Sequence, residues 1–320
     1  MATKSRILVI GATGAIGRHI VRASVEAGHA TYVLVSNTTV TEIPNKSKFI
    51  AAANPETKLD LFESFKTSGV TLLTGSISDH ESLVKAIKQV DVVICAVGRQ
   101  VIKDQVNLIH AIKEAGTVKR FFPSEFGVDV DRQDAVEPVR QVCDEKARIR
   151  RLVEAARIPY TYLCCHALTG YFLRGLAQPE TTEPPRDKVL ILGDGNVKGA
   201  YVTQEDVGTY TIKAADDSRT LNKTVHIRLP ANYLTLNEVV SLWEKKIGKT
   251  LEKTYVPEEQ VLKNIQESSL PLKYRWALYH SQLIRGDAVY DIDPAKDVEA
   301  HELYPDFKYT TASEFLNQLV

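Results

Sequence analysis

The sequence predicts an α/β protein, with a doubly wound parallel sheet followed in the chain by a smaller α/β region. Three observations carry that expectation. Short β-rich runs alternate with longer helical patterns through the first half of the chain. Several of those runs, such as Val92 to Val97, are apolar throughout, as strands covered on both faces are. The first run opens directly into a turn punctuated by glycines.

Taken in order, "RILVI" is the first strand, and the helix after it carries apolar Ile16, Ile20, Val21 and Val25 before stopping at Gly28. "TYVLV", "VTLLTG", "VDVVICAVG", "KRFFPSEFG" and "PYTYLCC" are the next strands, most of them separated by amphipathic stretches such as "HESLVKAIKQ" and "DQVNLIHAIKEAG". After about residue 165 the rhythm changes: "QPETTEPPRDKV" is a proline-rich surface connection and "GDGNVKG" is turn chemistry. Further strands ("KVLILG", "KTVHIRL") and helices ("TLNEVVSLWEKKIG", "PEEQVLKNIQESS") follow. The expected organisation is a first domain over 1–160, with 188–211 returning to its sheet, and a second over 161–320. The second would cover the sheet's carboxyl edge, where open parallel sheets hold ligands.

Forty basic residues balance forty acidic ones and no long run has one sign, so neither nucleic acid nor an anionic membrane is signalled as a partner. The amino-terminal apolar run is too short for a signal-peptide core, and nothing approaches the roughly 18 uninterrupted apolar residues of a membrane span. A cytoplasmic protein acting on a small molecule is expected. Cys95, Cys143, Cys164 and Cys165 fit no metal spacing and read as reduced, buried thiols; no metal is expected. The sequons at Asn37, Asn45 and Asn222 read as chance matches.

A strand, a glycine turn and a helix with a free amino end make an anion site. In "GATGAIGRHIV", Gly11 permits the tight turn, Gly14 lets backbone approach a diphosphate, and Gly17 lets the helix pack on the strand. The spacing is G-x-x-G-x-x-G, and its place at the start of a strand–helix alternation points to a dinucleotide in a Rossmann-type sheet. The second strand ends at Ser36 and Asn37, with no carboxylate before Glu42 to receive the ribose hydroxyls of NAD. Arg18, Lys46 and Lys48 are near in sequence and either could reach a 2′-phosphate or are ordinary solvated surface, so NADPH is favoured by the missing acid more than by any identified base.

Many reductases with this turn carry Tyr-x-x-x-Lys. Here Val142 stands four residues before Lys146, which on sequence alone reads as a solvated helix residue beside Asp144 and Glu145. The stretch "FFPSEFGVDVDRQDAVEPVRQVCDEKARIRRLVEAARIPYTYLCCHALTGYFLRGLAQ" resembles the plant isoflavone, phenylcoumaran benzylic ether, pinoresinol-lariciresinol and phenylpropene-forming reductases. The resemblance extends through "QVIKDQVNLIHAIKEAG", "PPRDKVLILGDGNVKGAYVT" and "LWEKKIGKTLEKTYV" to "YTTASEFLNQLV", essentially the whole chain. That family is an atypical, NmrA-like branch of the short-chain dehydrogenases that keeps the lysine and lacks the tyrosine.

The resemblance implies an NADPH-dependent reductase with Lys146 as its catalytic residue. It implies a cofactor held by Gly11, Thr13, Gly14, Ala15, Ile16, Gly17 and Arg18, by Ser36 and Lys46 at the ribose end, and by Gly98, Arg99, Pro123, Ser124, Phe126 and Lys146 near the nicotinamide. "CCHALTGYF" and "CAVGR" are most like the isoflavone reductases, because relatives acting on lignans or phenylcoumarans usually carry Asn at His166 and lack Arg99. His166, Leu168, Tyr171, Phe172, Tyr279 and His280, with residues near Trp276, are the expected substrate contacts. Two departures stand out: Ser36 where the family commonly has Arg, and Ser76 where it commonly has Asp. They predict relaxed discrimination against NADH. The implied reaction is hydride addition to the carbon β to the carbonyl of a 2′-hydroxyisoflavone, giving an isoflavanone in isoflavonoid biosynthesis. Lys146 is either an ammonium donor or a base towards a phenol. A phenylcoumaran or lignan reductase and a non-catalytic NADPH sensor are the alternatives, and a monomer or homodimer is expected.

Overall fold

A computed structural model describes residues 4–36 and 57–320. They fall into two compact units: Met1–Glu125, Glu145–Leu163 and Val207–Thr224 in the first; Phe126–Asp144, Cys164–Asp206 and Val225–Val320 in the second.

Five parallel strands organise the first unit. β1 (Ile7–Ile10), β2 (Thr31–Val35), β3 (Thr71–Thr74), β4 (Val92–Cys95) and β5 (Arg120–Phe122) lie in the order β3-β2-β1-β4-β5. A parallel bridge from Phe121 to Tyr160 carries the sheet on towards β6 (Thr161–Cys164). β1 and β4 are buried along their whole lengths, which explains their unbroken apolar runs. Helices α1 (Gly17–Glu26), α2 (Lys58–Thr67), α3 (His80–Ile87) and α4 (Gln105–Ala115) link the strands, followed by α5 (Val139–Ala155). Thr57 caps α2 with a reciprocal Asp60 box, and Asp79 caps α3. The strand order reverses direction between β1 and β4, and ligands of such sheets sit at that point, beyond the strands' carboxyl ends.

The second unit holds smaller sheets. β7 (Ala167–Leu168) pairs in parallel with β9 (Lys198–Val202), which pairs antiparallel with β11 (Tyr233–Thr235). β8 (Lys188–Leu192) pairs in parallel with β12 (Glu252–Val256). β10 (Lys223–His226), which belongs to this unit from Val225 on, and β13 (Asp297–Glu299) complete the strands. The helices are α6 (Thr169–Phe172), α8 (Leu236–Ile247), α9 (Glu258–Glu267), α10 (Leu272–Leu283), α11 (Ala300–Leu303) and α12 (Ala312–Asn317), while α7 (Gln204–Ala215) starts in this unit and belongs to the first from Val207 on. Trp243 of α8 is fully buried, and its indole N–H donates to the Pro185 carbonyl over 2.7 Å.

The expected return of 188–211 to the first sheet is corrected by these pairings: β8 and β9 belong to the second unit, and the segment that joins the first is Val207–Thr224. Gly208 makes that return close, because a Cβ there would stand 2.6 Å from the His19 backbone of α1. Arg120 of β5 fastens its far end by donating to the carbonyls of Ala214 and Asp217 over 2.6 and 2.9 Å. Residues 126–144, expected within the first domain, lie in the second unit. Arg132 there pairs with Asp297 and donates to the Asp291 carbonyl over 2.8 Å, and the Asp134 amide donates to Asp287.

Candidate active site

In the first unit the glycine turn leaves β1 where the strand order reverses. Gly11 has φ +83°, and a Cβ on it would press into the Ala96 carbonyl, whose carbon would be 2.7 Å away. A Cβ on Gly17 would be 2.8 Å from the Gly11 carbonyl carbon, whereas one on Gly14 would come no nearer than 3.1 Å to the Gly11 oxygen and 3.6 Å to the Ala96 oxygen. The Gly14 amide closes the turn on the Gly11 carbonyl at 2.9 Å. Among the described residues the amides of Ala15 and Ile16 have no protein acceptor, Ile16 caps α1 without side-chain help, and the first turn of α1 holds no acid. Free amides at the positive end of a ten-residue helix, beside a backbone that only glycine permits, fit a dinucleotide diphosphate.

Arg18 leans back over the turn, with its Nε 3.4 Å from the Gly14 carbonyl. It also lines a recess of about 230 Å³ with Arg22, Ser64, Phe65 and Ser68. Ser36 follows β2, and Thr13 is half-buried in the turn. Lys46 and Lys48 lie outside the described residues. Ser76 follows β3 and spends its hydroxyl on Ser78 at 2.9 Å.

From the glycine turn a row of contacts crosses the carboxyl ends of β1, β4 and β5. The Ala96 amide donates to the Ile10 carbonyl over 2.8 Å. Gly98 and Arg99 are exposed and begin a short 3-10 helix, Arg99–Asp104. The Ser124 hydroxyl donates to the Val97 carbonyl over 2.8 Å, and the Ser124 amide to buried Gln105 over 2.7 Å. The next residue, Glu125, offers its backbone carbonyl to the Lys146 ammonium at 2.6 Å. Pro123 is buried, and Phe126, with φ 43°, is the first residue of the second unit. Lys146 therefore differs from the solvated residue its neighbours suggested: Glu145 pairs with Arg148 at 2.6 Å, and Lys146 turns inward to the Ser124–Glu125 turn.

In the second unit the expected substrate residues form three sets. Phe172 meets Tyr279 (ring centroids 5.1 Å) and Tyr201 (6.4 Å), and the Tyr279 hydroxyl donates to the carbonyl of half-exposed Tyr171 over 2.7 Å. Leu168 lies on β7 beside Val202, and Trp276 is buried on α10. His280 faces Glu258, with Nε2 2.8 Å from the carboxylate. His166 stands apart from both and belongs to the third set. It is buried with φ 51°, its ring stacks 6.1 Å from that of His226, and neither ring nitrogen has a hydrogen-bond partner. Burial, then the neighbouring His226 and Arg228, pull its pKa well below the usual histidine value. Beyond it Tyr290 accepts or donates a 3.0 Å bond with His226 Nδ1, and His226 Nε2 stands 3.4 Å from Asp297. Burial favours the protonated Asp297, yet His226, the Asp293 amide and Arg132 hold its pKa down at about 2.

Sequence reasoning missed Glu125, Arg150, Gln105, His226 and Tyr290. One signal was available: Lys146 and Arg150 are four apart on one helix and so share a face. All four cysteines are buried and outside any disulfide, and burial pushes Cys95 up to about 12. Among the described residues no His/Cys/Asp/Glu group could hold a metal ion, and no helix is long and apolar enough to cross a membrane.

Comparison with known proteins agrees with this fold. Residues 3–316 match the model of the NmrA-like family. The chain belongs to the NmrA-like family. Within that family it is 71% identical over 320 residues to an isoflavone reductase of Pisum sativum, with the full length of both covered. A crystal structure of isoflavone reductase superposes with TM-score 0.92 at 69% identity, covering 99% of this chain and all of the other. A reductase solved with NADP+ and (+)-pinoresinol, 41% identical, superposes with TM-score 0.91 over the full length of both. The Rossmann-type fold is thus shared with nicotinamide-dependent family members.

Proposed function

We propose that the chain is an NADPH-dependent reductase of plant isoflavonoids that converts a 2′-hydroxyisoflavone to an isoflavanone. The observation that carries this reading is the row of contacts from Gly11 through Ala96, Val97, Ser124 and Glu125 to Lys146, which joins a diphosphate cradle to a lysine along one sheet edge. The family membership and the full-length 71% identity support it. The reading carries with it a cytoplasmic protein acting on a small phenolic.

The residues that would hold the cofactor are Gly11, Thr13, Gly14, Ala15, Ile16, Gly17 and Arg18 at the diphosphate, Ser36 at the ribose, and Gly98, Arg99, Ser124 and Phe126 towards the nicotinamide. Bound NADPH supplies a hydride. Lys146 spends one of its three protons on the Glu125 carbonyl and keeps two. Those two are donated to the substrate oxygen that gains charge as the carbon β to its carbonyl is reduced, which is electrostatic stabilisation by a preset donor. A proton from solvent then reaches the α-carbon of the enolate. Leu168, Phe172 and Tyr279, apolar residues of the second unit, are the substrate contacts assigned in this reading.

The test is a panel of 2′-hydroxyisoflavones, phenylcoumarans, lignans and phenylpropenyl esters, each supplied with NADPH and followed by product mass. Isoflavanone formation supports the reading. Turnover confined to phenylcoumarans or lignans replaces it with the sister activity, and cofactor binding with no consumption replaces it with a sensor.

A further inference from the structure

Lys146 shares its helix face with Arg150, and both reach the same residue of the Ser124–Glu125 turn. Arg150 is 1% exposed and Glu125 2% exposed. The guanidinium takes the carboxylate through both oxygens, Nε to Oε1 at 3.1 Å and a terminal nitrogen to Oε2 at 2.7 Å. The Tyr162 ring lies under the guanidinium at 4.6 Å, and its hydroxyl donates to the Arg150 carbonyl over 3.2 Å. Glu125 is therefore gripped twice, by its side chain and by its backbone carbonyl.

A two-pronged grip fixes orientation as well as distance, because the planar fork matches the carboxylate in one geometry. The turn beside it is already braced by Gln105 on the Ser124 amide and by the Pro123 carbonyl on the Glu125 amide at 2.8 Å. What the fork adds is the setting of the Glu125 peptide itself. Stability is a poor explanation for it, since two charges drawn fully out of water are often replaced by apolar side chains without loss.

We propose that Glu125 and Arg150 are positioning residues for Lys146. The buried pair fixes the peptide whose carbonyl holds the ammonium, and so aims the two protons that Lys146 has left. This rests on the catalytic reading of Lys146 above and deepens it.

The test uses the full-length chain with NADPH and a 2′-hydroxyisoflavone. The double variant E125M/R150M removes both charges together, leaving none buried and unpaired. It keeps its Tm and its affinity for NADPH, while kcat falls on the order of 10- to 100-fold with little change in KM, the signature of a donor held out of place. Added to K146M, the same pair of substitutions lowers kcat no further. A double variant with wild-type kcat overturns the proposal, and so does one that costs K146M as much as it costs the wild type. Should the double variant not fold, R150K keeps the charge and loses the fork: reduced kcat at unchanged Tm supports the proposal, and unchanged kcat overturns it. If K146M alone turns over normally, the catalytic reading itself has failed, which is a separate result.

Discussion

The Nζ of Lys146 and the backbone carbonyl oxygen of Glu125 stand 2.6 Å apart, across 21 residues of chain. That bond turns a helix lysine with acidic neighbours in sequence away from them and towards the carboxyl edge of the parallel sheet, where the glycine turn begins. In the proposed reading it is the point at which cofactor cradle and chemistry meet in the first unit.

K146M removes the donor and leaves the cradle. Single-turnover kinetics are expected to show a loss on the order of 10²- to 10⁴-fold in reduction, the range of a lost acid–base or charged donor. Calorimetry is expected to show unchanged NADPH affinity. A pH–rate profile assigns the role: a donor loses activity as lysine is neutralised at high pH, and a base gains it.

The glycines of the turn are predicted to differ. Gly17→Ala drives a methyl into the Gly11 carbonyl and lowers Tm together with NADPH affinity. Gly14→Ala meets nothing closer than 3.1 Å, so it folds with near wild-type Tm and is impaired mainly in NADPH binding. Equal Tm values for the two variants would show that the turn relaxes around either methyl.

Cofactor choice is expected to turn on Arg18 and Ser36. Ser36→Arg restores a guanidinium beside the 2′-phosphate and improves NADPH over NADH by about tenfold in kcat/KM, the worth of one charged contact of about 1.4 kcal/mol. Arg18→Ala moves the ratio the other way. Ratios unmoved by both substitutions would place 2′-phosphate recognition elsewhere.

His166→Asn tests the buried histidine. The folded state disfavours the imidazolium, so its pKa lies below that of the unfolded chain. The unfolded chain therefore takes up the proton first as pH falls, and wild-type stability declines below the ordinary histidine pKa of about 6.5. Asn tolerates the positive φ of 51° and does not titrate. The drop in Tm between pH 7 and pH 5 is expected to be smaller in the variant than in the wild type.

The parts of the fold written in short-range pattern were legible: the apolar strands, the glycine turn and the parallel order of the first sheet. Partner choice over long separations was not. The periodicity of "KVLILG" is satisfied equally by the first sheet or by β12, whose Glu252 pairs with Lys188 64 residues away. At the site, Lys146 was picked out by family resemblance while its local sequence pointed to water, because the carbonyl that turns it inward belongs to another segment. The Glu125–Arg150 pair was invisible for the same reason, as was the His166–His226–Tyr290 cluster, whose members come from three separate stretches of chain.

The central claim is tested most directly by following the hydride. The chain is incubated with a 2′-hydroxyisoflavone and NADPH deuterated at the transferring position, and the product is examined by mass spectrometry and NMR. The account predicts an isoflavanone with one deuterium on the carbon β to the carbonyl and a solvent-derived proton on the α-carbon. Deuterium at any other carbon, or no isoflavanone under conditions where the protein binds NADPH, would contradict it.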